Sequence, residues 1–214
     1  MGAVSDRGVG ELGDEDDVQR CSWPLGHEDY LAYHDGEWGR PTTDGHLLFE
    51  KICLEGFQSG LSWLTILRKR DRFREVFSGF DIDAVARYDN EDVERLLTDT
   101  GIIRHRGKIE ATINNAQRAR ELLDAEGSLV DWVWAWAMPE PVRTSDGGIP
   151  ASTDRSTALA KELKRRGWKF FGPTTAYAFM QSEGLTNDHD ETCFVHGECQ
   201  AAQDQFLVGR TLRD

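Results

Sequence analysis

From residue 44 onward, apolar positions recur at intervals of three and four, punctuated by capping residues and glycines. Asp44 precedes a run containing Leu47, Leu48, Ile52 and Cys53. An aspartate accepts from first-turn N–H groups, and this spacing predicts a helix with an apolar stripe on one side. Leu61, Leu64, Leu67, Phe73, Val76 and Phe77 predict a second helix, ended near Gly79. Asp81 and Asn90 each precede a short amphipathic run, with Val93, Leu96 and Leu97 in the second, which Gly101 breaks. Ile109, Ile113, Ala116 and Leu123 form the stripe of a longer helix closed by Gly127. After Ser128, Trp132, Trp134 and Trp136 alternate, as in a strand. A lone strand has nothing to pair with, so a short buried helix is expected. Pro139 to Pro150 reads as a loop. A Leu159/Leu163 helix stops at Gly167, and another starts at Pro173 and ends at Gly184. No period of 20 to 50 residues recurs, which excludes a solenoid. The chain is expected to be all-α.

A length of 214 residues suits one domain with a small appendage. The 39% hydrophobic and 29% charged composition excludes a disordered or fibrous chain. No run of about 18 apolar residues suggests a membrane span. The first twenty residues are acidic and Gly-rich, without the apolar core of a signal peptide, so a disordered tail is expected. The chain therefore reads as cytoplasmic and, by default, monomeric. The net charge of −13 argues against nucleic acid at face value. About a third of it lies in that tail, however, and the basic residues cluster at Arg68–Arg70, Arg104–Lys108 and Lys161–Arg166. Screening over about 10 Å lets one face be positive on an acidic protein. Charge alone decides nothing.

Three segments carry chemistry. In Leu97-Thr-Asp-Thr-Gly101-Ile102-Ile103-Arg104-His105-Arg106-Gly107-Lys108-Ile109, one helix ends, a glycine turns the chain, two apolar residues plug the turn and a basic helix starts. Backbone N–H groups there, with Arg104, Arg106 and Lys108, make an anion site, the layout of a helix-hairpin-helix on a DNA phosphate. As a bare pattern it is also an ordinary interhelical turn. In Leu54-Glu55-Gly-Phe-Gln-Ser-Gly60-Leu61-Ser-Trp63, a lone carboxylate sits among apolar residues. Glu55 could simply be solvated. It could equally accept hydrogen bonds from an extruded base, with Trp63 stacking on the base and Gly60-Leu61 wedging into the duplex. Third, Cys21 and His34 lie early and His189 and Cys193 late. Together they make a Cys₂His₂ set suited to tetrahedral structural zinc, clipping the two ends of the chain together. Buried cysteines and surface histidines are the plain alternative, and His196 with Cys199 is a competing ligand pair. Without a secretory signal or any CxxC, disulfides and zinc ribbons rank lower.

Taken together, Cys-x-Trp, Tyr-x-Ala-Tyr-His-Asp-x-Glu-Trp-Gly, Leu-Glu-Gly-x-Gln-x-Gly-Leu-Ser-Trp, Gly-Ile-Ile-Arg-His-Arg-Gly-Lys-Ile, Lys-Arg-Arg-Gly-x-Lys-Phe-x-Gly and Asn-Asp-His-x3-Cys resemble the DNA-3-methyladenine glycosylase I family, from Cys21 to about Cys193. The resemblance implies a helix-hairpin-helix glycosylase fold with a zinc-clipped subdomain. Its expected parts are a tail over 1–20, an N-terminal arm over 21–44, the helical domain over 45–149, the rest of the zinc and pocket subdomain over 150–199, and a C-terminal tail over 200–214. It implies excision of 3-methyladenine from alkylated double-stranded DNA, with Glu55 and Tyr33 on the base edge, Trp23 and Trp63 stacking, and Tyr30 and Trp38 lining the pocket. The family lacks the catalytic Asp of other helix-hairpin-helix glycosylases, and none stands out here. The departures are the acidic tail, the extension after Cys193, and Phe57 and Ser59. Two other classes compete: a non-catalytic lesion-binding module, and a glycosylase/lyase using Lys51 or Lys69 as the Schiff-base amine.

Overall fold

A computed structural model describes residues 18–213, and every regular element among them is helical. Most of the expected acidic tail lies outside the described residues. Its last two positions are tied down: the Gln19 carbonyl accepts from the Phe194 N–H at 2.9 Å, and Arg20 pairs with Asp35 at 2.9 Å.

The centre of the fold is α2 (Gly45–Gln58), started by Asp44, whose carboxylate accepts from the N–H groups of His46 and Leu47. The expected one-sided stripe is too narrow. Every residue from Leu48 to Phe57 is buried, while Leu47 is exposed, because α2 is enclosed by α3 (Trp63–Leu67), α7 (Arg106–Glu126), α8 (Leu129–Trp134) and α10 (Pro173–Ser182). A helix enclosed on all sides must bury its polar residues too, here Glu50, Lys51 and Glu55. Arg74 meets Glu50 at 3.0 Å.

The single helix expected over residues 61–77 is instead α3 and α4 (Arg70–Val76), followed by a 3₁₀ turn at Ser78–Phe80. The corner at Arg68-Lys69 brings Phe73, Phe77 and Phe80 under α2, with Phe57 and Phe73 centroids 4.6 Å apart. Short α5 (Ile82–Val85) packs on α7. Helix α6 (Asn90–Thr98) opens with a capping box between Asp89 and Asp92, and Gly127 closes α7 in the left-handed conformation. The tryptophan segment is helical, and the Trp134 N–H donates to the Thr42 carbonyl at 2.8 Å. Helix α9 (Asp154–Arg165) packs on α10.

Two helices escape the sequence pattern, because neither carries an apolar stripe. One is α1 (Glu28–Gly36), inside the expected arm. The other is α11 (His196–Leu207), which corrects the C-terminal tail: Phe206 packs on Trp134 at 4.5 Å, and the Arg213 N–H returns to the Ala135 carbonyl at 2.7 Å.

Candidate active site and metal centre

On α1, Tyr30, Tyr33 and His34 stand at i, i+3 and i+4, so they share one face. The Tyr30 hydroxyl accepts from the Leu64 N–H at 2.9 Å, which fastens α1 to the start of α3. Trp23, Tyr30, Tyr33, Trp38 and Trp63 wall a cavity of about 250 Å³, with Glu55 inside it. Trp23 meets Tyr30 and Trp38 edge-on at 5.5 and 5.2 Å and is the most exposed of the five, at the mouth. The far wall is α10, through Ala178, Gln181 and Ser182, with Gln58 and Ile149 completing the rim. Sequence reasoning missed these last five. The i, i+3, i+4 spacing of 178, 181 and 182 is the signal that could have found three of them.

Glu55 is 4% exposed, and burial holds its carboxyl above the usual range while Lys51 pulls it back. Its Oε1 lies 3.3 Å from the Lys51 ammonium. Its Oε2 and the Trp63 indole N–H are both buried without a partner among the described residues. An acceptor and a donor are thus left over at a dry, aromatic cavity, where such groups are costly unless something fills them. Burial first, and then the Glu55 charge, push the Tyr33 phenol well above its ordinary value, so it stays protonated. Lys51 donates to the Tyr33 oxygen at 2.6 Å and lies 3.5 Å from the Trp63 ring centroid. It is held from three sides, unlike a free Schiff-base amine.

The metal set is assembled. The ligand atoms of Cys21, His34, His189 and Cys193 all lie within 4.8 Å of one another, and all four residues are buried. Cys21 Sγ and Cys193 Sγ are 3.5 and 3.7 Å from His189 Nδ1, and Cys193 Sγ is 3.5 Å from His34 Nε2. The outer ring nitrogens are also fixed: His34 Nδ1 is 2.7 Å from Asp35 and His189 Nε2 is 3.1 Å from the Trp38 carbonyl. That is the outer support that aims a ligating imidazole inward. Burial pushes His189 down to about 4, leaving the neutral ring a metal needs. Burial pushes the Cys21 thiol up to about 12 against the Asp190 N–H, so it ionises at neutral pH only when a cation replaces its proton. The donor set therefore fits zinc. His189 and Cys193 sit on the non-helical segment between α10 and α11. The competing pair stays outside, with His196 turned to the His189 carbonyl at 3.2 Å. Gly39 is required here, since a Cβ would come within 2.7 Å of His189 Nε2. His34 stacks on Trp38 and meets Trp23 edge-on, so the Cys/His cluster and the pocket wall are one packed unit.

Gly60, at φ +80°, makes the tip after α2, and Leu61 beside it is exposed. Across the surface, α7 begins with His105 accepting from the Lys108 N–H. Arg104 is exposed and has no ion-pair partner among the described residues, whereas Arg106 pairs with Glu94 at 2.6 Å. Lys108 departs from expectation. It is buried, and its ammonium donates to the carbonyls of Phe57 and Ser59 at 2.8 and 2.6 Å, which caps α2 and shapes the tip. The Arg68–Arg70 cluster is occupied too, by Asp29, by the carbonyls of Thr100 and Gly101, and by Glu37. Between tip and hairpin stands Phe170, exposed, at φ 55°, its ring 6.1 Å from His105. It shares a shallow groove with Ser59, Lys164 and Lys169.

Residues 23–196 match the model of the methyladenine glycosylase family. The chain is 50% identical over 179 residues to DNA-3-methyladenine glycosylase 1 of Escherichia coli (strain K12), covering 82% of this chain and 96% of that protein. A crystal structure of 3-methyladenine DNA glycosylase I superposes with a TM-score of 0.79 at 51% identity, covering 83% of this chain and all of the other. A structure of 3-methyladenine DNA glycosylase I from Staphylococcus aureus, solved for its recognition of 3-methyladenine, gives a TM-score of 0.78 at 36% identity over 83% of this chain and 96% of that one. The chain belongs to the methyladenine glycosylase family: it is a DNA glycosylase, a hydrolase of N-glycosyl bonds.

Proposed function

We propose that this glycosylase takes 3-methyladenine out of alkylated double-stranded DNA and hydrolyses its N-glycosidic bond, releasing the free base and leaving an abasic site. The observation that carries the reading is the unpartnered Glu55 Oε2 inside an aromatic cavity. Methylation at N3 makes the linked base cationic, so it departs as a neutral molecule once the bond to the sugar breaks and water adds there. Little protonation is needed. The cavity's work is selection: Glu55 accepts from the N–H edge of the base, Tyr33 donates, and the faces of Trp23 and Trp63 attract an electron-poor ring. Tyr30 and Trp38 hold the walls, and extrusion is least unfavourable for a damaged base.

Gly60 and Leu61 fill the space the base vacates, while Arg104, the start of α7 and, by breaking its ion pair, Arg106 take phosphate. Lys164, Lys169 and Phe170 extend that face. Cys21, His34, His189 and Cys193 would hold a structural zinc, which supplies stability and no step of the reaction. Free 3-methyladenine released from methylated duplex, with no strand cleavage and no borohydride-trapped adduct, is the expected result. Binding without release would make the protein a lesion-binding module, and a trapped adduct would make it a lyase.

A further inference from the structure

Lys51 stands behind the pocket rather than in it. Its ammonium is 2.6 Å from the Tyr33 oxygen, 3.3 Å from Glu55 Oε1 and 3.5 Å from the Trp63 centroid, and the residue is 7% exposed. Each of those three partners lines the cavity, and Lys51 does not. Packing alone would be met by an apolar side chain of the same length, and a buried ammonium is unfavourable unless its partners compensate. Here the partners are base-facing groups. We propose that Lys51 is a positioning residue for base recognition: by occupying Glu55 Oε1 and the Tyr33 oxygen from behind, it leaves Glu55 Oε2 and the Tyr33 O–H for the base. This rests on the reading of Glu55 and Tyr33 as the groups that contact the base edge.

The geometry has a directional consequence. An ammonium donates only, so the Tyr33 oxygen it engages keeps its own proton for a second acceptor. Glu55, with one oxygen engaged, cannot rotate its second away without losing the Lys51 contact. Three ionisable groups surround Glu55: Lys51 on its own helix, Tyr33 from α1 and Glu183 just past α10. Burial favours the protonated Glu55 carboxyl and Lys51 opposes it, while the Glu55 charge adds to the burial that raises Glu183. Removing Lys51 therefore removes the group that draws the Glu55 carboxyl toward its ionised, accepting form.

The test compares K51M, E55Q and the double variant, using 3-methyladenine titrated against tryptophan fluorescence and base release from methylated duplex across pH. K51M should bind free 3-methyladenine about tenfold more weakly at pH 7. The acid limb of its base-release profile should move up by about one pH unit or more. E55Q should lose that limb, and adding K51M to E55Q should move no limb, leaving only the loss that runs through Tyr33. Should K51M fold poorly, K51Q, which keeps a donor for Tyr33 without the charge, should still move the limb. Wild-type affinity and an unmoved limb in K51M or K51Q, with E55Q impaired, would overturn the role of Lys51 and leave the base-edge reading standing. Wild-type behaviour of E55Q would remove that reading, and the role of Lys51 with it. A borohydride adduct lost in K51M would make Lys51 a nucleophile instead.

Discussion

The pocket side and the hairpin side of the molecule handle charge in opposite ways. At the pocket, Glu55, Lys51, His34 and His189 are buried, and contacts such as Lys51 with Tyr33 and His189 with Trp38 join residues far apart in sequence. At the hairpin, Arg104 and Arg106 stand in water, and the Arg106 pair with Glu94 is exposed at both ends. Buried contacts are strong and insensitive to salt, while exposed pairs contribute little and are screened. On the proposed function the difference matches two tasks: choosing one base would need fixed donors and acceptors, whereas scanning a duplex would need cations that exchange partners easily. Lys108 shows that sequence neighbourhood does not decide which regime applies, since it lies two residues from Arg106 yet turns inward.

The largest effect should come from breaking the pocket side at its clip. With the proposed zinc in place, chelation or Cys21→Ser should lower stability by more than ~3 kcal/mol, since the binding energy of a structural metal is folding energy. Affinity for free base should fall with it, because His34 and His189 back Trp38. Metal analysis finding no zinc, or an unchanged Tm after chelation, would sink this.

Next is the contrast of Lys108 with Arg104. Lys108→Ala uncaps two carbonyls, so a loss of roughly 1–3 kcal/mol is expected by denaturant unfolding. Arg104→Ala should leave unfolding unchanged and weaken damaged and undamaged duplex alike. The slope of log K against log salt should shrink by about one. Exchanged outcomes would reverse the two assignments.

The smallest effect concerns Glu183, whose carboxyl burial holds above the usual range. The folded protein then keeps this proton to higher pH than the unfolded chain does. Stability falls as pH rises from about 4.3 through the raised value. Glu183→Gln should flatten that fall and raise Tm slightly at neutral pH. A Tm curve parallel to wild type would show that Glu183 does not titrate in this window.

What could be read from the sequence was whatever a local pattern encodes. Capped amphipathic runs gave α2, α6 and α7, and Tyr33, His34, Glu55 and Trp63 stand in dense aromatic or polar-in-apolar segments. Cys21, His34, His189 and Cys193 were legible as residue types, and the fold then gathered them. Helices α1 and α11 were not legible, because tertiary partners rather than an apolar stripe hold them. Lys51 was legible only as an i, i+4 partner of Glu55; its contact with Tyr33 spans 18 positions and exists only once α1 docks on α2.

On the proposed function, Glu55 is the group that reads the base. Glu55→Gln puts an amide where Oε2 stands, and a mismatched buried polar pair is unfavourable by roughly 1–3 kcal/mol. Base release from methylated duplex and affinity for 3-methyladenine should therefore both drop about 10- to 100-fold. Binding to undamaged duplex should stay as it was. Wild-type release and wild-type affinity in that variant would contradict the account.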